Sequence, residues 1–225
     1  MSAVTTGFEL KDITFGYEKE QHLINKLSLN LPKERVTLLT GANGAGKTTL
    51  AKLLAGIITA QEGSVLWSGK HVQSLPKAEL FLEISLLYQQ SERNLCALNA
   101  GEDLAIWLMG MGLSKTESKA KISTALHVWE LDRIRQRPLW ELSAGEQKRV
   151  CLAGIGLFPE RYWILDEPTA GLDEQHAEIL AETVRIKQAK GCGAFIITHN
   201  AKLFESCADT IWHLDEHSIS ERAIL

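Results

Sequence analysis

Apolar residues in the first third of the chain tend to fall at alternate positions. Residues 8–17 (FELKDITFGY) and 23–32 (LINKLSLNLP) partly alternate, the pattern of half-buried antiparallel strands. Residues 35–40 (RVTLLT) break that pattern. Their nearly continuous apolar run predicts a strand buried on both faces. A glycine-rich turn and a helical stretch, KTTLAKLLAGII, follow, and SVLWSG and ISLLY read as two more strands. From about Ser91 to Glu141 the pattern is helical and no buried strand is evident. There SKTESKAKISTALHVWEL opens with a capping box, Ser114 with Glu117. Buried strands return as YWIL (162–165) and AFIIT (194–198), with the helical EQHAEILAETVRIKQAK between them. Strands alternating with helices predict a parallel sheet covered on both faces.

The expectation is therefore a single α/β domain over residues 1–225. Residues 1–90 and 142–225 form its core, and residues 91–141 form a helical insert. LAIWLMGMGL (104–113) reads as the insert's own core, and the basic stretch Arg133–Arg137 as a solvated face.

Composition narrows the function. A formal charge of −4 gives no support to a broad nucleic-acid surface. Four scattered cysteines, Cys96, Cys151, Cys192 and Cys207, form no C-x-x-C pair and read as reduced, buried thiols of a cytosolic protein. The first residues lack a signal pattern, and no apolar run approaches the ~20 residues that span a bilayer. Work at a membrane would then need a partner.

The strongest chemical signal is GANGAGKTT, Gly41 to Thr49, between a strand and a helix. It fits G-x-x-x-x-G-K-[ST], in which backbone N–H groups wrap phosphate. Lys47 would reach the β- and γ-phosphates, and Thr48 would offer its hydroxyl to Mg²⁺. YWILDEPTAGLD (162–173) ends a buried strand in two carboxylates. Such acids are costly there unless a cation or water meets them. Asp166 suits Mg²⁺, and Glu167 suits a water attacking the γ-phosphate. His199, after the strand in IITHN, is either a strand-end histidine or a donor to the γ-phosphate and Glu167. Asn200 reads as a cap for the next helix. Gln89, after ISLLY, is either a loop amide or a ligand. His213 and His217 have helical metal-ligand spacing, but their strand-and-turn context favours solvated side chains. Leu142–Gln147, LSAGEQ, opens a further helix with a Ser143–Glu146 capping box, a second anion-ready helix start. Gly145 within it would let something approach the backbone closely.

In this combination and order, the sequence resembles the nucleotide-binding subunits of ATP-binding-cassette (ABC) transporters. Gly41 to Thr49 is similar to the Walker A motif, Gln89 to the Q-loop, and Leu142 to Glu146 to the signature. Tyr162 to Glu167 is similar to Walker B, Ala170 to Asp173 to the D-loop, His199 to the switch histidine, and Tyr17 to the aromatic residue that stacks on adenine. The resemblance implies a P-loop NTPase core with a mixed, mainly parallel sheet, an N-terminal antiparallel β subdomain and a helical insert. It implies ATP and Mg²⁺ as cofactors. Gly41, Asn43, Gly44, Gly46, Lys47, Thr48 and Thr49 would hold the nucleotide; Thr48, Gln89 and Asp166 would hold the metal; Glu167, His199 and Gln89 would act in hydrolysis.

The resemblance also implies two ATPase subunits, identical or related, paired head to tail. Ser143 and Gly145 would then meet the partner's nucleotide. Transmembrane subunits at the cytoplasmic face of the membrane are the other implied partners, and no nucleic acid. Ala144 and Glu146 depart from the common LSGGQ, a difference that bears on rate. The insert and the approach to the signature look most like the energy-coupling-factor ATPases, which serve import of vitamins or transition metals. The haem-exporter ATPase of cytochrome c maturation and the non-transport ABC ATPases are the alternatives.

Overall fold

The computed structural model describes residues 6–18, 22–109, 111–215 and 219–222. Strands β1 (Gly7–Phe15) and β2 (Ile24–Pro32) pair antiparallel, with Phe8 opposite Leu31 and Leu10 opposite Leu29. With β4 (Glu62–Trp67) and β5 (Lys70–His71) they form an antiparallel sheet in the order β2-β1-β4-β5.

Among the described residues the second sheet has six strands. It contains β3 (Val36–Gly41), β6 (Ile84–Leu87), β7 (Tyr162–Asp166), β8 (Ala194–Ile197), β9 (Thr210–Leu214) and β10 (Ile219–Arg222), in the order β10-β9-β3-β8-β7-β6. All its pairings are parallel except β10 on β9. Parallel neighbours require crossovers. Helices α1 (Lys47–Leu54), α5 (Ala144–Gly156) and α6 (Glu174–Ala189) lie on these crossovers.

The continuous apolar runs follow from burial on both faces. Leu38, Trp163, Leu165 and Ile196 join one core cluster with α5 and α6. Their neighbours Leu39, Tyr162, Ile164 and Ile197 join a second cluster with α1 and the antiparallel sheet. Successive side chains point to opposite sides of a strand, so both faces must be apolar.

Between Ser91 and Glu141 the described residues carry α3 (Ala100–Leu108), α4 (Lys115–Val128) and three short 3-10 turns. The Ser114–Glu117 capping box is formed, and α2 (Lys77–Glu83) precedes β6. Among the described residues no helix is long and apolar enough to cross a membrane.

Several expectations need correction. Only one face of α3 is core: Leu104 and Leu108 are buried, whereas Ile106 and Met109 are exposed. Asn200 caps no helix. Its side chain makes no cap bond, its backbone N–H donates to Thr198 Oγ1, and a 3-10 stretch follows (Ala201–Cys207). Two of the four free cysteines, Cys151 and Cys207, are buried, but Cys192 is partly exposed and Cys96 exposed. The basic stretch is not all solvated. Arg135 packs against Gly101 with its Nε buried, whereas Arg133 and Arg137 are exposed. His213 is only partly solvated: on β9 beside β3, its Nδ1 is 3.0 Å from Thr40 Oγ1. His217 lies outside the described residues.

Candidate active site

The loop after β3 turns through Gly44 and Gly46, at φ 85° and 98°, where a side chain would be strained. Gly46 stands at the N-cap of α1, so no side chain caps that helix, and its first turn has no acidic residue. Its leading N–H groups and the positive end of its dipole are thus available to an anion. Lys47, 8% exposed, folds back over the loop and donates to the carbonyls of Gly41 (2.9 Å) and Ala42 (2.8 Å). Gly41 itself serves the sheet. A Cβ there would sit 2.1 Å from the Leu214 carbonyl oxygen on β9.

Two carboxylates end β7. Asp166 is buried, and its Oδ1 has no hydrogen-bond partner among the described residues. Burial pushes its pKa up, against the pull of the Thr48 hydroxyl, Lys148 and Lys47. Glu167 adopts φ 47°, a costly backbone for a residue with a Cβ, and its N–H donates to the Ile197 carbonyl at 3.0 Å. Burial raises its pKa as well; nearby His199 lowers it and Asp166 raises it further. His199 Nε2 lies 3.2 Å from Glu167 Oε1, an ion-pair distance without the alignment of a hydrogen bond.

These groups share one cavity of about 340 Å³. One wall is Asn43, Gly44, Gly46, Lys47, Thr48 and Thr49, and the other is Gln89, Asp166, Glu167 and His199. Leu23 completes the rim, a contribution the strand pattern of residues 23–32 did not single out. Tyr17 stands beside this cavity. Its ring is 63% exposed, packs edge-on against Phe15, and its hydroxyl is 3.3 Å from Thr49 Oγ1.

Ser143 and Gly145 are not in the cavity lining. The capping box at α5 is complete: the Glu146 N–H donates to Ser143 Oγ at 3.2 Å, and the Ser143 N–H donates to Glu146 Oε2 at 2.7 Å. Those bonds hold the Glu146 pKa below the usual carboxylate range. Further along α5, Arg149 donates to the Trp129 carbonyl and to His176 Nε2 (2.9 Å each). Arginine only donates, so His176 carries its proton on Nδ1, 2.7 Å from Asp173 Oδ1. Asp173 also caps α6.

Sequence reasoning missed Lys148. It is 2% exposed, and its Nζ donates to the Gln89 carbonyl at 2.9 Å. The signal was present in the helical spacing: Cys151, Leu152 and Ile155, three, four and seven residues on, are all buried. Lys148 is a charge on the apolar face of its helix.

Comparison with known proteins shows the family. The model of the ABC transporter family matches residues 24–170 of the 225. The cobalt import ATP-binding protein CbiO of Salmonella paratyphi A is 32% identical over 210 residues, 92% of this chain and 77% of its own length. The energy-coupling factor transporter ATP-binding protein EcfA of Methanoculleus marisnigri is 30% identical over 209 residues, 92% and 76%. Among solved structures, cbiO1 from Clostridium perfringens, part of the ABC transporter complex cbiONQ, superposes with a TM-score of 0.79 at 25% identity. That match covers 96% of this chain and 87% of cbiO1. The chain belongs to the ABC transporter family, as an ATP-binding subunit that hydrolyses ATP.

Proposed function

We propose that this ATPase powers import of a small solute, a transition-metal ion such as cobalt or a vitamin, through a transmembrane partner at the cytoplasmic face of the membrane. Relatives named for cobalt import and energy coupling, each aligned over 92% of the chain, support the solute class. In this reading two ATPase subunits close head to tail on ATP.

The observation that carries the pairing is a separation within one chain. Phosphate-loop, carboxylate and histidine groups line a single cavity, while the capped start of α5, with Ser143 and Gly145, lies outside its lining. A second subunit would bring its own α5 start to the γ-phosphate, which becomes the shared charge of a two-state switch.

Within the cavity, Asn43, Gly44 and Gly46 shape the loop. Lys47 exchanges its carbonyl partners for β- and γ-phosphate oxygens, and Tyr17 offers its ring to adenine. The buried, unpartnered Asp166 Oδ1 beside the Thr48 hydroxyl fits Mg²⁺, with Gln89 facing the same space. When bound, Mg²⁺ offsets charge on the phosphates. Glu167 takes a proton from the attacking water, and His199 holds the Glu167 carboxylate and the γ-phosphate in line.

Purification of the tagged chain from detergent-solubilised membranes tests this reading. A polytopic membrane protein should co-purify, and vesicles containing the complex should take up Co²⁺, Ni²⁺ or a vitamin only with ATP. Recovery of the chain alone from the soluble fraction, without membrane protein, would refute the transport role.

A further inference from the structure

A lysine inside a protein is expensive unless its ammonium is well met. Lys148 is buried on α5, one turn beyond the capped start that carries Ser143 and Gly145. Its Nζ donates to the Gln89 carbonyl at 2.9 Å, and the Glu167 carbonyl lies at 3.5 Å, the outer limit of a hydrogen bond. Neither acceptor belongs to the rest of the core. One is the peptide of the Q-loop residue, and the other is the peptide of the left-handed Glu167. Glu167 is thus held from two sides: its N–H by the Ile197 carbonyl on β8, and its carbonyl by the ammonium on α5. Burial pushes the Lys148 pKa down, while Cys151, Asp166, Glu167 and Glu92 oppose that shift. A methionine would fill the same space without the cost of desolvation, so the sequence retains a charge where packing asks for none.

We infer that Lys148 is a positioning residue for hydrolysis: its ammonium ties the start of α5 to the peptides of Gln89 and Glu167. The Q-loop, the strained carboxylate and the signature helix then shift together. Displacement of the Q-loop by a bound partner changes where Glu167 points and where Ser143 is presented. This inference rests on the reading of Glu167 as the group that handles the attacking water.

The test compares Lys148→Met, Lys148→Gln, Lys148→Arg and Glu167→Gln in the full chain. Fluorescent-ATP affinity, thermal melting, kcat and KM are measured for each. Lys148→Met should keep ATP affinity within about threefold and leave KM nearly unchanged, while kcat falls about 10–100-fold, as for loss of other groups that position a reacting one. Lys148→Arg should recover part of kcat, since the cation returns. If Lys148→Met fails to fold, Lys148→Gln carries the same test. A folded Met or Gln variant with wild-type kcat overturns the inference. So does a kcat loss that merely tracks the unfolded fraction. Normal hydrolysis by Glu167→Gln would instead overturn the underlying reading of Glu167.

Discussion

Gly145 and Gly171 meet where the start of α5 passes the loop leading to α6. A methyl group on Gly145 would lie 2.6 Å from the Gly171 carbonyl oxygen. The signature glycine therefore has a duty inside its own chain: it seats the helix start against the D-loop. Gly145→Ala should gain up to about 1 kcal/mol of helix propensity and lose a similar amount or more to the clash. The net change is therefore neutral to destabilising by up to about 2 kcal/mol, and the D-loop must move aside to admit the methyl group. ATP affinity of the isolated chain should stay near wild type while turnover falls at least about tenfold. Wild-type turnover would show that the D-loop position does not matter for hydrolysis.

Much of this was legible in the sequence, for identifiable reasons. The runs in β3, β7 and β8 stand out because both faces of a central parallel strand must be apolar. Gly44, Lys47, Asp166 and Glu167 sit in motifs whose strand–loop–helix order is itself local. What stayed hidden depends on distant partners. His213 looked solvated because nothing near it in the chain reveals that β9 lies beside β3, which brings Thr40 to its ring. Gly41 was read as a phosphate glycine, and its sequence neighbours do not show that the carbonyl of Leu214 also limits its size. In α3 and the residue after it the apolar residues outnumber the positions facing inward, and only packing separates Leu104 and Leu108 from Ile106 and Met109.

Glu167 and His199 should set the acid limb of the rate. Burial raises the Glu167 pKa and His199 lowers it, so loss of the histidine leaves the upward push less opposed. A base is active when ionised, so His199→Ala should move the acid limb to higher pH and lower kcat. Glu167→Gln should keep ATP affinity and accumulate as an ATP-bound dimer, visible by size-exclusion chromatography. An unshifted limb in His199→Ala would separate the histidine from the titration of Glu167.

Lys47→Ala should largely abolish nucleotide binding. Its Nζ is held over the loop by the carbonyls of Gly41 and Ala42, on the wall where the phosphates would lie. Removal takes away the loop's only side-chain cation and leaves its glycine geometry in place. A fluorescent-ATP titration should weaken by about two orders of magnitude, about 3 kcal/mol. An unchanged titration would place the phosphates elsewhere.

The departure of Glu146 from the usual glutamine should be nearly silent for folding. Glutamate and glutamine both complete a capping box, and Glu146 receives the Ser143 N–H at 2.7 Å. Glu146→Gln is expected to stay within about 0.5 kcal/mol of wild type at neutral pH, whereas Ser143→Ala should lose about 1 kcal/mol with its cap. The Glu146 pKa lies below its unfolded value, so its contribution is present above that value and fades as pH falls through the folded one. The wild type should therefore lose stability relative to Glu146→Gln on acidification. Denaturant titrations at neutral and acidic pH would reveal this, and parallel losses in both proteins would remove Glu146 from the acid response.

At the other end of the pH range, Lys187 on α6 should control stability. It is 1% exposed and donates to the carbonyls of Pro159 (2.6 Å) and Arg161 (2.5 Å), with its ammonium 4.7 Å from the Trp163 ring centre. Burial pushes its pKa from 10.5 to about 8. Between those values the unfolded chain holds a proton that the folded chain has released. Stability due to Lys187 should thus rise with pH from about 8 to 10.5, and below pH 8 the cost of charging it is fully present and constant. The full shift corresponds to about 3 kcal/mol, an upper bound because two carbonyls and an aromatic face support the charged form. Lys187→Met removes this proton while other alkaline titrations remain common to both chains. Denaturant unfolding of the two proteins near pH 7, 9 and 10.5 should show the wild type gaining on the variant as pH rises. A constant difference across that range would mean that Lys187 keeps its proton in the fold.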